Sequence, residues 1–170
     1  MPTLQDILAR VAGQVQYPTK EQILEKPIKH KRAIITIVKD WKAEWKEVRN
    51  QTPREKFDAI KRLIGLIAFA YNKDISVEFV PDTPIDCHYN PQTNTITIDN
   101  RVSIISALHE LAHALFGGSE IKACRWSIWL FKKTFPKAYN RLVWDRHMLV
   151  RPTCPTNQIA SPSDSTISSE

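Results

Sequence analysis

The chain has 170 residues, 42% of them hydrophobic and 25% charged, which is enough to bury a core without disulfides or a structural metal. Three widely spaced cysteines, Cys87, Cys124 and Cys154, include no CxxC pair and speak against a disulfide framework or a cysteine-based zinc ribbon. The net charge of +6 is that of a lysine-rich solvated surface, with phosphate-bearing partners as the second reading.

In chain order, residues 3–13 read as a short amphipathic helix with Leu4, Ile7, Leu8 and Val11 on one face. Asp6 and Arg10 interrupt its apolar pattern, so it is not expected to be a secretory signal. YPTKEQILEKP reads as a connection with one helical turn. The run from about Lys29 to Arg49 reads as one helix, although AIITIV within it is β-branched. Trp41, Trp45 and Val48 share a helical face, which favours core over an aromatic binding surface. His30 lies in the basic KHKR run and is assigned to the surface. Thr52, Pro53 and Glu55 form a helix start, and the helix that follows buries Phe57, Ile60, Ile64, Ile67 and Tyr71.

ISVEFVPD alternates and is β-branched, as a strand does. CHYNPQTNTITIDN reads as a hairpin with arms at Cys87–Tyr89 and Thr95–Asp99 and a turn from Asn90 to Asn94. His88 and Cys87, as strand neighbours, point to opposite faces. A helix opening at Val102 or Ser103 should stop at Gly117-Gly118. Ser119 then opens EIKACRWSIWLFKKTF, which ends at Pro136. KAYNRLVWD reads as a short helix and RHMLVRPTCP as irregular. The polar end reads as a disordered tail. The expected division is an N-terminal helical region at 1–72 packed on a core at 73–150, with the tail at 151–170. No apolar run approaches the ~20 residues that span a bilayer.

The chemistry is concentrated in SALHELAHALFGGSE. His109 and His113 are four apart, so a helix puts both imidazoles on one face, within reach of one metal ion. Glu110, beside the first, is placed to take a proton from a water and pass it to a leaving amine. A third ligand is needed. The Gly-Gly break returns the chain so that Glu120 stands in the first turn of the next helix. His147 is the rival for that place, and is also a candidate hydrogen-bond donor to an oxyanion, with Tyr139 a weaker one.

These residues resemble the HExxH zinc peptidases, the zincins, and among them the type whose third ligand is a glutamate on the following helix. EIKACRWSIWLF also loosely resembles the second helix of the small zinc peptidases of the ImmA/IrrE type, which act on phage and stress-response repressors. The resemblance spans about residues 75–136. It implies an α+β fold: a minimal zincin-like core with a small antiparallel sheet and an N-terminal helical extension, whose edge strand lines the cleft. It also implies Zn²⁺ on His109, His113 and Glu120, with Glu110 as general base, His147 as an auxiliary catalytic group and a protein or peptide as substrate. Cys124 departs from the family, which commonly has Asp or Asn there to support a ligand histidine. Expected for such a chain are a reducing cytoplasm and no membrane partner. The alternative is a non-catalytic module of the same fold that binds nucleic acid or a protein through Lys29–Arg32 and the basic N-terminal helices.

Overall fold

Among the described residues, three helix starts are set by side-chain caps between residues three apart in the sequence. The computed structural model describes residues 17–82 and 87–152; the helix expected at 3–13, Cys154 and nearly all of the expected tail lie outside them. In α1 (Lys20–Glu25) the Thr19 hydroxyl accepts from the Gln22 amide and the Gln22 side chain accepts from the Thr19 amide. This reciprocal cap makes the expected single turn a defined helix. The same device, Thr52 with Glu55, opens α3 (Pro53–Ala70), with Pro53 at its first position. Between them, α2 (Arg32–Val48) begins three residues later than expected and has no side-chain cap. AIITIV is helical. Ile34, Val38 and Trp41 recur at helical spacing and are buried, and that burial outweighs the β-branched preference. The Trp41 indole donates to the Ala59 carbonyl at 2.8 Å, tying α2 to α3.

The sheet is mixed, where an antiparallel one was expected. β2 (Cys87–Asn90) and β3 (Thr95–Ile98) form the expected antiparallel hairpin, but β1 (Ser76–Phe79) pairs with β3 in parallel, so the order is β1-β3-β2. Pairing with β2 would have given a plain meander. Instead β3 takes the centre, where Ile96 and Ile98 are fully buried, and β2 is left at an edge.

α4 (Ile104–Phe116) opens at Ser103, whose hydroxyl accepts from the Ser106 amide. It ends at Gly117, which has φ +89°. α5 (Glu120–Thr134) packs along α4, and a four-residue α6 (Pro136–Tyr139) follows. The helix expected over KAYNRLVWD stops there, and the end of that segment forms a hairpin with the start of the one expected to be irregular. β4 (Val143–Asp145) and β5 (Met148–Val150) are joined by Arg146 and His147, with Arg146 at φ +54°. Three-residue arms without Gly or Asn at the turn carry too little pattern to be recognised.

One core runs from Ile34 and Val38 of α2 through Ile60 and Ile64 of α3 and the sheet to Leu108 and Leu111 of α4 and Leu130 of α5. A satellite core gathers Ile23 of α1, Cys124 and Ile128 of α5 and Leu149 of β5. His30 is not on the surface: it is 6% exposed, with Nε2 2.8 Å from the Trp126 carbonyl. Burial pushes its pKa down. The lysines around it stay exposed, because long cationic side chains reach water more cheaply than a ring does. No helix among the described residues is long and apolar enough to cross a membrane.

Candidate metal centre

α4 buries Leu108, Leu111 and Ala112 and turns His109, Glu110 and His113 towards a cleft. The four-residue spacing brings the Nε2 atoms of His109 and His113 to 3.1 Å. Gly117 then breaks the helix in a backbone region open essentially to glycine alone, and the chain doubles back. Glu120, first residue of α5, lies 3.4 Å from His109 Nε2 through one oxygen and 3.2 Å from His113 Nε2 through the other. Two donors at ~2.0–2.1 Å from a tetrahedral metal stand about 3.3 Å apart, so each of these pairs has the spacing of such an ion's ligands, with one Glu120 oxygen facing each histidine.

The outer nitrogens decide which atoms face the triangle of His109, His113 and Glu120. His113 Nδ1 is 3.2 Å from the Gly117 carbonyl oxygen. A carbonyl only accepts, so Nδ1 carries a proton, and Nε2 is the nitrogen left to donate to Glu120 when protonated or to face a metal when not. His109 Nδ1 faces the Cys124 sulfur at 3.9 Å. Burial, with the nearby Glu120 charge, pushes the Cys124 thiol up to about 12. Cys124 therefore occupies the supporting position behind His109, as a weak thiol contact. His109, Glu120 and Cys124 also offer donors within 4.8 Å of one another. That set is the poorer one, because the sulfur addresses the His109 nitrogen pointing away from Glu120 and His113.

Without a metal, Glu120 and the histidines satisfy each other. Hydrogen bonds from His109 and His113 hold the Glu120 carboxyl well below the usual carboxylate range. The Glu120 hydrogen bond raises the pKa of His113, against the opposing effect of burial.

Glu110 accepts the Tyr89 amide of β2 at 2.8 Å through one oxygen. This joins the edge strand to the site through a backbone amide. Two cavities flank the triangle, and Glu110 and Glu120 line both. The larger, about 580 Å³, also touches Lys73, His88 and Tyr89. The smaller, about 180 Å³, is bordered by His147.

Of the two candidates for third donor, Glu120 completes the triangle and His147 stands at the side. His147 sits in the β4–β5 turn, stacked on Tyr17 with ring centroids 4.3 Å apart and planes 11° apart. Its Nδ1 is buried and without a hydrogen-bond partner among the described residues. Burial lowers its pKa, and the Glu120 charge opposes that effect. Tyr139 borders neither flanking cavity and packs with the satellite core. Cys87 is buried and His88 exposed, on opposite faces as strand neighbours must be. Sequence reasoning missed Tyr17 and the Tyr89 amide. No local signal marks either, since a backbone donor has no side-chain code and Tyr17 lies far from the motif in the chain.

Comparison with known proteins finds no matching family model, no matching curated protein and no matching solved structure.

Proposed function

We propose that this chain is a zinc-dependent metallopeptidase that works in a reducing cytoplasm on protein or peptide substrates. The reading rests on one observation: two histidine Nε2 atoms 3.1 Å apart each face one oxygen of the Glu120 carboxylate at 3.2–3.4 Å, beside a second carboxylate, Glu110, held at the edge strand. His109, His113 and Glu120 hold the ion. A bound zinc supplies Lewis acidity, which makes water a nucleophile near neutral pH and polarises a carbonyl. The Tyr89 amide fixes one oxygen of Glu110, and the other takes the proton of the attacking water and passes it to the leaving amine. His147, on the wall of the smaller cavity, is the group proposed to steady the carbonyl oxygen as charge develops there.

The test pairs metal content with cleavage of a fluorogenic casein. Wild type should carry about one zinc per chain, and His113→Ala and Glu120→Ala should lose it. Glu110→Gln should keep zinc and lose about 10²–10⁴ of the cleavage rate. Full activity in Glu110→Gln would sink the mechanism. A wild type that takes up no zinc would make HELAH a chance pattern and promote the non-catalytic binding module. Trp41 argues against an aromatic nucleic-acid surface in that module, because its ring is buried and its indole is bonded to Ala59.

A further inference from the structure

The net charge of +6 is not spread evenly along the chain. Residues 26–39 and 121–144 hold 11 of the 24 Lys and Arg and none of the 18 Asp and Glu, so the rest of the chain is net acidic. The first stretch is the α1–α2 connection with the first half of α2, and the second is α5 beyond Glu120, with α6 and the start of β4. The fold brings the two together. His30 Nε2 meets the Trp126 carbonyl at 2.8 Å, and the Lys42 ammonium donates to the Thr134 carbonyl, two turns further along α5, at 2.7 Å. α2 therefore lies along α5. His30 is buried in that contact, and its neighbours Lys29, Lys31 and Arg32 are left exposed. Lys133 of α5 is exposed too, and stands close enough for its charge to act on the His30 ring. Arg125 is answered by Glu25 of α1 at 4.0 Å, from just outside the first stretch.

We propose that this joint basic face binds the phosphate backbone of double-stranded nucleic acid without reading its sequence. Charge complementarity carries the inference: a face of cations from two segments, free of their own carboxylates, matches a rod of phosphates. The aromatic residues favour a duplex over a single strand. Trp41 and Trp126 are buried, Lys31 lies over the Tyr71 ring at 4.5 Å, and Lys132 lies over the Trp129 ring at 4.7 Å. These rings face core or cations, whereas a single strand is held by bases stacked on open rings. A protein partner or a membrane fits less well. Protein interfaces centre on apolar and aromatic anchors and are poor in lysine, and a bilayer takes inserted apolar side chains. Of the exposed large hydrophobic residues among those described, Val143 alone lies in the two stretches, near the end of one. The inference is independent of the metallopeptidase reading.

The test is fluorescence anisotropy of a labelled short duplex DNA titrated with the full chain at a series of salt concentrations. Wild type should bind at about 50 mM salt and lose about 10³-fold in affinity by about 200 mM, the loss that about six phosphate contacts produce. Two duplexes of unrelated sequence should bind alike, and the matching single strand more weakly. Lys29→Gln and Lys133→Gln, one from each stretch, change exposed side chains and leave the core intact. Each should weaken binding and flatten the slope of log affinity against log salt by about 0.9, one phosphate contact. Lys61→Gln, equally exposed on α3 but outside both stretches, should change neither. No binding at about 50 mM salt, an affinity indifferent to salt, or tighter binding of the single strand would overturn the inference. So would equal weakening by Lys61→Gln, or tighter binding of polyglutamate or phosphatidylserine vesicles than of duplex. Glu110→Gln should bind the duplex as wild type does, so a failure of cleavage and a failure of this inference are separate results.

Discussion

His113 and His109 share a motif but not an environment. His113 has both nitrogens committed, Nδ1 to the Gly117 carbonyl and Nε2 to the triangle, whereas among the described residues the Cys124 thiol stands behind His109. The atom of His113 that Glu120 engages is the atom a metal would need, so proton and metal compete for it. The sign follows from the raised His113 pKa. In the metal-free protein the His113–Glu120 pair stabilises fully below the ordinary histidine value of about 6.5, and that contribution is lost as pH rises through the raised value. Metal binding runs the other way. Zinc affinity should be greatest above the raised pKa and fall below it by about tenfold per pH unit for each proton displaced. Chelator competition between about pH 5.5 and 8 measures this, and an affinity that stays flat across the range would remove His113 from the ligand set.

At the scale of elements, the site is the product of one helix break. α4 and α5 pack side by side, and Gly117 turns the chain so that Glu120 falls opposite His109 and His113. A Cβ at Gly117 would meet no atom within 4 Å, so any cost of Gly117→Ala comes from its φ of +89°. That cost should be about 1–3 kcal/mol, with weaker metal binding because the Gly117 carbonyl orients His113. Gly118 has equally open surroundings and no positive φ, so Gly118→Ala should cost clearly less. Denaturant unfolding of the two variants decides it, and equal losses would refute the backbone argument.

Over the whole molecule, the two ends of the described chain meet at the site. The segment from Tyr17 through α1 lies along α5: Arg125 donates to the Gln22 carbonyl at 2.7 and 3.1 Å, the Trp129 indole donates to the Ile23 carbonyl at 3.3 Å, and Ile23 is fully buried in the satellite core. This anchorage brings Tyr17 against His147 from the β4–β5 turn. Ile23→Ala should therefore cost about 2–5 kcal/mol in unfolding free energy, through a cavity behind Ile128 and Leu149. Thermal and denaturant unfolding would show it, and a loss under about 0.5 kcal/mol, the range of a neutral surface change, would mean that the segment is not docked.

What the sequence determined by itself was local. The reciprocal caps at Thr52 and Glu55, the hairpin from Cys87 to Ile98, the four-residue spacing of His109 and His113 and the stop at Gly117 each depend on residues a few positions apart. Their physics, in turn geometry, helical periodicity and positive φ, is written in the residues themselves. The tertiary structure alone decided the rest. Burial of His30 under Trp126, the parallel pairing of β1 with β3, the placing of Glu120 rather than His147 in the triangle, and the stack of Tyr17 on His147 all join residues that the backbone does not hold together. Such contacts are set by how whole elements share one core, and no window of sequence contains that competition.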